Sequence, residues 1–406
     1  MKIVWAMVYL SAIFSLKLWA QDSSSFLDNF RYLTSFESFI KFNKVSDKKP
    51  QLKSEGREEV RRLHQSLFIA DLHADTLLYP RKFLTKTVRG HIDLPRMQAG
   101  NVALQVFAAV TKSPLDVFFS PDSVREQNDM AGILFYQQGM SKKKLPSLFE
   151  RAKFQAKKLH YFANNSAQQF IIIKNKGDLW QLQAERKAGK VMAGGMLALE
   201  GLHAIEGDLT KLEELFDLGF RMASPTHFFD NKIGGSAHGI NKGGLTTFGR
   251  QVIKKMEALQ MIIDVAHASP DVIDEILMIT KRPIILSHGG VDGYCHSGVR
   301  NISDQQIKAI AQSGGIIGIG LWEVAVCGTT AMSTAQSMKY IIDLLGNANH
   351  VALGSDFDGV VTTHFDVSHL EMITEALLDL GVSSLDIRKI MGENFLRLLH
   401  TTLPTP

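Results

Sequence analysis

Cysteine is nearly absent, at two of 406 residues, and proline is scarce, at eleven. Two cysteines cannot build a multiply stapled mini-protein or a thiolate-rich metal site, and so little proline argues against extended low-complexity segments. Charge of one sign is also lacking: 45 Lys and Arg stand against 41 Asp and Glu, a formal +4. The basic run Lys142-Lys143-Lys144 reads as a solvated loop, so a nucleic-acid partner is not expected. There is no G-x-S-x-G elbow, no G-x-x-x-x-G-K-[ST] loop and no H-E-x-x-H helix. Serine-hydrolase, nucleotide-hydrolase and helix-zincin readings therefore lose their main support. What is present, 45% hydrophobic and 21% charged residues with 32 glycines, is the composition of an ordinary globular enzyme.

The first twenty residues carry Lys2, the apolar run Ile3 to Phe14, and a small residue, Ala20, before the polar Gln21-Asp22-Ser23. The run is shorter than the roughly 20 apolar residues a spanning helix needs, so residues 1–20 are read as a signal peptide and the protein as exported, periplasmic or secreted. No cysteine follows the apolar run, and Thr401 to Pro406 carry no apolar tail, so no stable membrane anchor is expected. Cys295 and Cys327 would then meet an oxidising compartment, as one disulfide or as two separate buried thiols.

Residues 21–55 show no sustained period and read as an N-terminal extension. From Leu67 onward short apolar runs alternate with amphipathic helical patterns, the signature of βα units on a parallel sheet. The runs are Leu67 to Ala70, Val102 to Val110, Val191 to Leu199, Phe220 to Ser224, Met261 to Ala266, Pro283 to Leu286, Gly315 to Gly320 and His350 to Gly354. Eight such strands close a (β/α)8 barrel, and residues 56–406 are read as one catalytic domain of that α/β class. The stretch from Thr111 to Lys190 reads as a long crossover with helices at Ser123 to Met140 and Leu148 to Asn164, serving as a lid or subunit contact.

Metal-type ligands gather where these runs stop. Asp71-Leu72-His73-Ala74-Asp75 follows the first run, and side chains two apart on a strand share a face, so His73 and Asp75 can reach one ion. Glu200, His267, His288 and Asp356 follow the third, fifth, sixth and eighth runs. In a closed barrel all of these ends lie on one rim. Each residue alone reads as a hydrogen-bonded core histidine or a helix cap. Together they would bury several unpaired charges, a cost of several kcal/mol each that metal coordination offsets. A mixed set of three His with Asp and Glu suits zinc. His91-Ile92-Asp93 is also H-x-D but follows no apolar run, and is read as a structural loop.

At these residues the chain resembles the membrane (renal) dipeptidase family. The resemblance covers roughly Leu63 to Leu399, through Asp71 to Asp75, Leu94-Pro95-Arg96 with Ala99-Gly100, Glu200 to His203, Thr226-His227, Leu245 to Gly249, Ile263 to Ser269, Ser287-His288, Arg300-Asn301 and Gly354 to Gly359. It implies an amidohydrolase-type barrel and two zinc ions, one on His73 and Asp75, the other on His267 and His288, with Glu200 bridging. It further implies that His227 meets the substrate carbonyl, Arg300 the substrate carboxylate, and Asp356 the proton in transit, while a metal-bridging hydroxide cleaves a dipeptide. A homodimer is implied as well, and the two cysteines fall where the family can form a disulfide. The sequence departs from the family at Phe228 to Asn231 and around Leu321-Trp322-Glu323, which bears on side-chain preference. Two alternatives stay open: another barrel metal hydrolase, such as a cyclic amidase or deaminase, and a non-catalytic exported binding protein.

Overall fold

The computed structural model describes residues 58–114, 129–296 and 299–406. The signal segment and extension predicted over 1–20 and 21–55, and the first part of the helix predicted from Ser123, lie outside them.

Nine parallel strands form the sheet: β1 (Ile69–Asp71), β2 (Val102–Val110), β3 (Phe170–Ile172), β4 (Ala193–Glu200), β5 (Phe220–Ala223), β6 (Ile262–Ile263), β7 (Ile285–Gly289), β8 (Ile316–Ile319) and β9 (Val351–Leu353). Their order is β6-β5-β4-β2-β1-β9-β8-β7, with β3 paired to the first half of β4. The two ends of that path meet through a bridge between Asp264 and Ile285, where Val265 N donates to Ile285 O at 2.7 Å. The sheet thus curls into the (β/α)8 barrel, and each predicted run supplies one of its staves.

β3 was not among the predicted strands. Its three residues follow helix Leu148–Asn164 after a short turn and precede helix Lys176–Lys187, which the sequence reading also passed over. Three residues are too few to display a period. Asn175 caps that helix through a reciprocal box with Asp178, a signal that Asn-x-x-Asp could have given.

The core has two layers, as both faces of a parallel sheet require. One cluster draws Ala70, Leu104, Val106, Met196, Ala198, Met222, Ile262, Ile285, Ile316 and Ala352 from all eight staves. Along each stave they alternate with residues of the second, helix-facing cluster, so these fill the barrel. Phe395, Leu398 and Leu399 of helix Asn394–Thr402, with Leu403 just after it, join the same cluster and plug its floor. The alternate residues Phe107, Ala109, Leu197 and Leu199 belong to the outer layer under the helices. Along β4 this alternation puts Glu200 on the face of Met196 and Ala198, pointing inward at the rim.

Cys295 and Cys327 form a disulfide, Cα to Cα 5.5 Å. It ties the loop after β7 to the turn after β8. Among the described residues no helix is long and apolar enough to cross a membrane.

Candidate metal centre

Every candidate ligand stands at the C-terminal end of a stave. Glu200 ends β4 and His288 lies within β7, whereas His73, Asp75, His267 and Asp356 follow β1, β6 and β9 by a few residues. β1 ends at Asp71 and the backbone bends at Leu72, so His73 and Asp75 lie just beyond the regular strand. They meet all the same, His73 Nε2 lying 3.3 Å from Asp75 Oδ1. Ala74 and Asp75 instead pair with Phe357, which moors this segment to the loop after β9.

Glu200 is the hub. Its Oε1 lies 2.9 Å from His267 Nε2, 3.4 Å from His227 Nε2, 3.5 Å from His288 Nε2 and 3.6 Å from His73 Nε2. Asp356 Oδ1 is 3.8 Å from His73 Nε2. Three overlapping groups could each hold an ion: His73 with Asp75 and Glu200, Glu200 with His267 and His288, and His73 with His288 and Asp356.

The side chains fit a metal better than they fit each other. Asp75 Oδ1, Glu200 Oε2 and His73 Nε2 are buried without a hydrogen-bond partner, an arrangement that costs free energy unless something accepts their lone pairs. Burial pushes the Glu200 carboxyl well above its usual range, with the charge of Asp75 adding to it. Burial also drives His227, His267 and His288 well below the usual imidazole value, aided by the positive charge of Arg300. His73 goes the other way, up to about 10, because Glu200, Asp75 and Asp356 outweigh its desolvation. Asp356 is pushed up to about 7 by burial, against the pull of His73. The cluster crowds three carboxylates around His73 and keeps the imidazoles of His267 and His288 neutral and ready to ligate; divalent ions suit both conditions.

Two of these residues sit on backbone that L-residues rarely adopt, His267 at φ 63° and Asp356 at φ 59°. Such strain of order 1–2 kcal/mol persists where neighbours fix it. The His267 carbonyl accepts from Ala237 N at 2.8 Å and Thr226 Oγ1 at 3.2 Å. Asp356 is packed against Gly359, where a Cβ would meet its Oδ1 at 2.0 Å.

Behind the ligands stand two matching pairs that sequence reasoning gave no role. Asp264, just past β6, accepts from Ser287 N at 2.9 Å and Ser287 Oγ at 2.6 Å; Asp71 accepts from Ser355 N at 2.8 Å and Ser355 Oγ at 2.6 Å. Each serine directly precedes a site residue, His288 or Asp356. Having given its proton to Asp264, Ser287 Oγ is left to accept from His288 Nδ1 at 2.9 Å, which fixes the tautomer with a bare Nε2. Ser287→Ala is therefore expected to weaken divalent-ion binding at His267 and His288 by about 10–100-fold, measured by chelator competition. Unaltered affinity would count against this role.

His91 and Asp93 are structural, as read, but His91 lies under the site. It stacks on Phe357 with centroids 5.2 Å apart and accepts from Asp358 N at 3.0 Å. Asp358 in turn accepts from Thr76 Oγ1, Arg81 Nη2 and His91 N at 2.8, 3.0 and 2.8 Å. The Arg81 guanidinium above all, with His91 beside it, holds its carboxyl far below the usual range in spite of burial. Asp93 caps helix Leu94–Ala99 and pairs with Arg96.

Two further predicted residues flank the cluster. His227, beyond β5, packs edge-on against His267 at 4.4 Å between centroids and has a buried, unpartnered Nδ1. Arg300, in the loop after β7, has a guanidinium whose Nε and Nη2 are buried without partners. Asp356 and Glu200 are the charges acting most strongly on it. Phe228, 4.1 Å from His227, and Trp322, 6.0 Å from His288, bring aromatic faces to the same rim.

Comparison with known proteins identifies the family and the fold. Residues 57–403 match the family model described as membrane dipeptidase, peptidase family M19. A dipeptidase of Aspergillus oryzae is 34% identical over 217 residues, 50% of this chain and 50% of that protein. An uncharacterised dipeptidase of Schizosaccharomyces pombe is 29% identical over 218 residues, 51% of this chain and 53% of that protein. The chain spans about half the length of these curated relatives. A Rhodobacter sphaeroides metallopeptidase, solved with a phosphinate mimic of the dipeptide L-Ala-D-Ala, shares the fold at a TM-score of 0.67 and 23% identity, covering 83% of this chain and 99% of that one. With its ligand-type side chains on the barrel rim and a family match over nearly all described residues, the chain belongs to the membrane dipeptidase family.

Proposed function

We propose that the protein is an exported metallodipeptidase that hydrolyses the one peptide bond of a dipeptide at a pair of zinc ions. His73 and Asp75 would hold one ion, His267 and His288 the other, and Glu200 both. The observation that carries this reading is the convergence of these five side chains, with His73 Nε2, Asp75 Oδ1 and Glu200 Oε2 lacking hydrogen-bond partners, beside a buried guanidinium that also lacks them. When bound, the metal pair supplies Lewis acidity and lowers the pKa of water toward 7.

The remaining work falls to the chain itself. Arg300 grips the free carboxylate through parallel N–H donors, which sets substrate length, since a longer peptide would place an amide there. His227 donates to the scissile carbonyl oxygen as negative charge develops on it. Asp356 takes a proton from the attacking water at its carboxylate and returns it to the departing amine nitrogen. The phosphinate complex of the Rhodobacter protein supports a dipeptide as the occupant.

The test is a panel of L,L and L,D dipeptides, hydantoins, lactones and amino-purines, assayed with the purified protein before and after chelation. Dipeptide turnover that disappears on metal removal and returns with zinc is expected. Turnover of cyclic amides or amino-purines without dipeptides would instead favour the barrel-hydrolase alternatives, which the fold alone cannot separate.

A further inference from the structure

Trp322 has no part in the scheme above, although it neighbours two groups that do. Its ring lies 6.0 Å from the imidazole of His288 and 5.5 Å from Cζ of Arg300, centroid to centroid and Cζ to centroid respectively.

The indole is held from behind. A Cβ on Gly320, one residue past β8, would lie 2.0 Å from Trp322 Cζ3 and 2.5 Å from Cε3. Glycine at that position is what lets the six-membered edge of the ring rest on the end of the strand. The carbonyl of Trp322 accepts from Ala325 N at 3.1 Å and Val326 N at 3.2 Å, and Cys327 locks the turn to Cys295. The loop so locked is the one that carries Arg300, and Asn301 Nδ2 bridges it further by donating to Cys295 O at 2.6 Å and Ala325 O at 3.1 Å. The backbones that carry the ring and the guanidinium are therefore tied to each other.

A dipeptide bound as proposed has its scissile carbon at the metal cluster and its carboxylate on Arg300. One residue separates them, a span of at most about 3.6 Å. The α-carbon of the C-terminal residue must lie in that interval, and Trp322 adjoins both of its ends. We propose that Trp322 is the wall of the subsite for the C-terminal side chain and limits the size of that side chain. This rests on the dipeptidase reading and adds to it a residue that sets specificity. A flat, two-rotor ring pinned to the strand end restricts its neighbour instead of adapting to it.

The experiment compares kcat/KM of the zinc-loaded parent, Trp322→Ala and Trp322→Phe over Ala-Gly, Ala-Ala, Ala-Leu and Ala-Phe, and over the reversed series Gly-Ala, Leu-Ala and Phe-Ala. The Ala-Phe to Ala-Ala ratio is expected to rise about tenfold or more in Trp322→Ala and by less in Trp322→Phe, with ratios in the reversed series unchanged. If Trp322→Ala does not fold or bind zinc, Trp322→Phe decides by the same ratio. A ratio that stays fixed, or a shift confined to the reversed series, overturns the role of Trp322 and leaves the dipeptidase reading standing. Absence of turnover of every dipeptide by the zinc-loaded parent would overturn the reading beneath it.

Discussion

Replacing Glu200 by Gln is expected to abolish stoichiometric binding of two metal ions and to cut dipeptide turnover by about a thousandfold or more, roughly 4 kcal/mol of barrier. The size of the effect follows from position. Glu200 Oε1 is within 3.6 Å of the Nε2 atoms of His73, His267 and His288, so no other carboxylate touches both halves of the site as closely. An amide keeps the shape and gives up the charge, and one of its two terminal atoms becomes a donor aimed at cations. Metal content after dialysis and kcat on a good dipeptide are the two readouts. A variant that keeps two ions and near-parental turnover would remove Glu200 from the bridging position. Misfolding can be told apart, because Gln also removes a carboxylate whose ionisation burial opposes. The metal-free variant is thus expected to melt no lower than the metal-free parent.

That such a residue could be picked from sequence reflects the regularity of the barrel. Each stave is a short apolar run, and its end is marked by the first residue that an apolar environment will not tolerate. Glu200 after Ala-Gly-Gly-Met-Leu-Ala-Leu and His288 within Ile-Leu-Ser-His-Gly follow this rule directly. β6 is harder to read: only Ile262 and Ile263 form the strand, and His267 stands four residues later on left-handed backbone. It was found because Met261 to Ala266 is apolar except at Asp264, and that exception was the signal missed. Asp71 and Asp264 each fall shortly before a candidate ligand histidine, and Ser287 and Ser355 directly before His288 and Asp356. The repeated Asp-to-Ser pairing joins residues 23 and 284 positions apart. Nothing in local periodicity links such partners; only closure of the barrel puts neighbouring staves side by side. The same holds for Asp358, which anchors the loop of Asp356 to Thr76, Arg81 and His91 across more than 260 residues.

Arg300→Ala is expected to lower kcat/KM for free dipeptides by about a hundredfold to ten-thousandfold, while hydrolysis of carboxyl-amidated dipeptides changes little. The magnitude comes from losing two charge-assisted hydrogen bonds, each worth about 1.5–3 kcal/mol in a desolvated setting. Arg300 meets the requirements of such an anchor: buried Nε and Nη2 without partners, and carboxylates nearby that attract it without hydrogen bonding to it. An acceptor is missing from its surroundings, and a substrate carboxylate supplies one with the matching fork. Arg300→Lys separates charge from geometry, because an ammonium keeps the attraction and loses the planar pair of donors. It should recover only part of the rate and favour free over amidated substrate less than the parent does. The decisive quantity is the ratio of kcat/KM for a free dipeptide to that for its amide. If that ratio survives in Arg300→Ala, the carboxylate lies elsewhere. The limit to two residues would then need another cause, such as walls that exclude a third residue by volume alone.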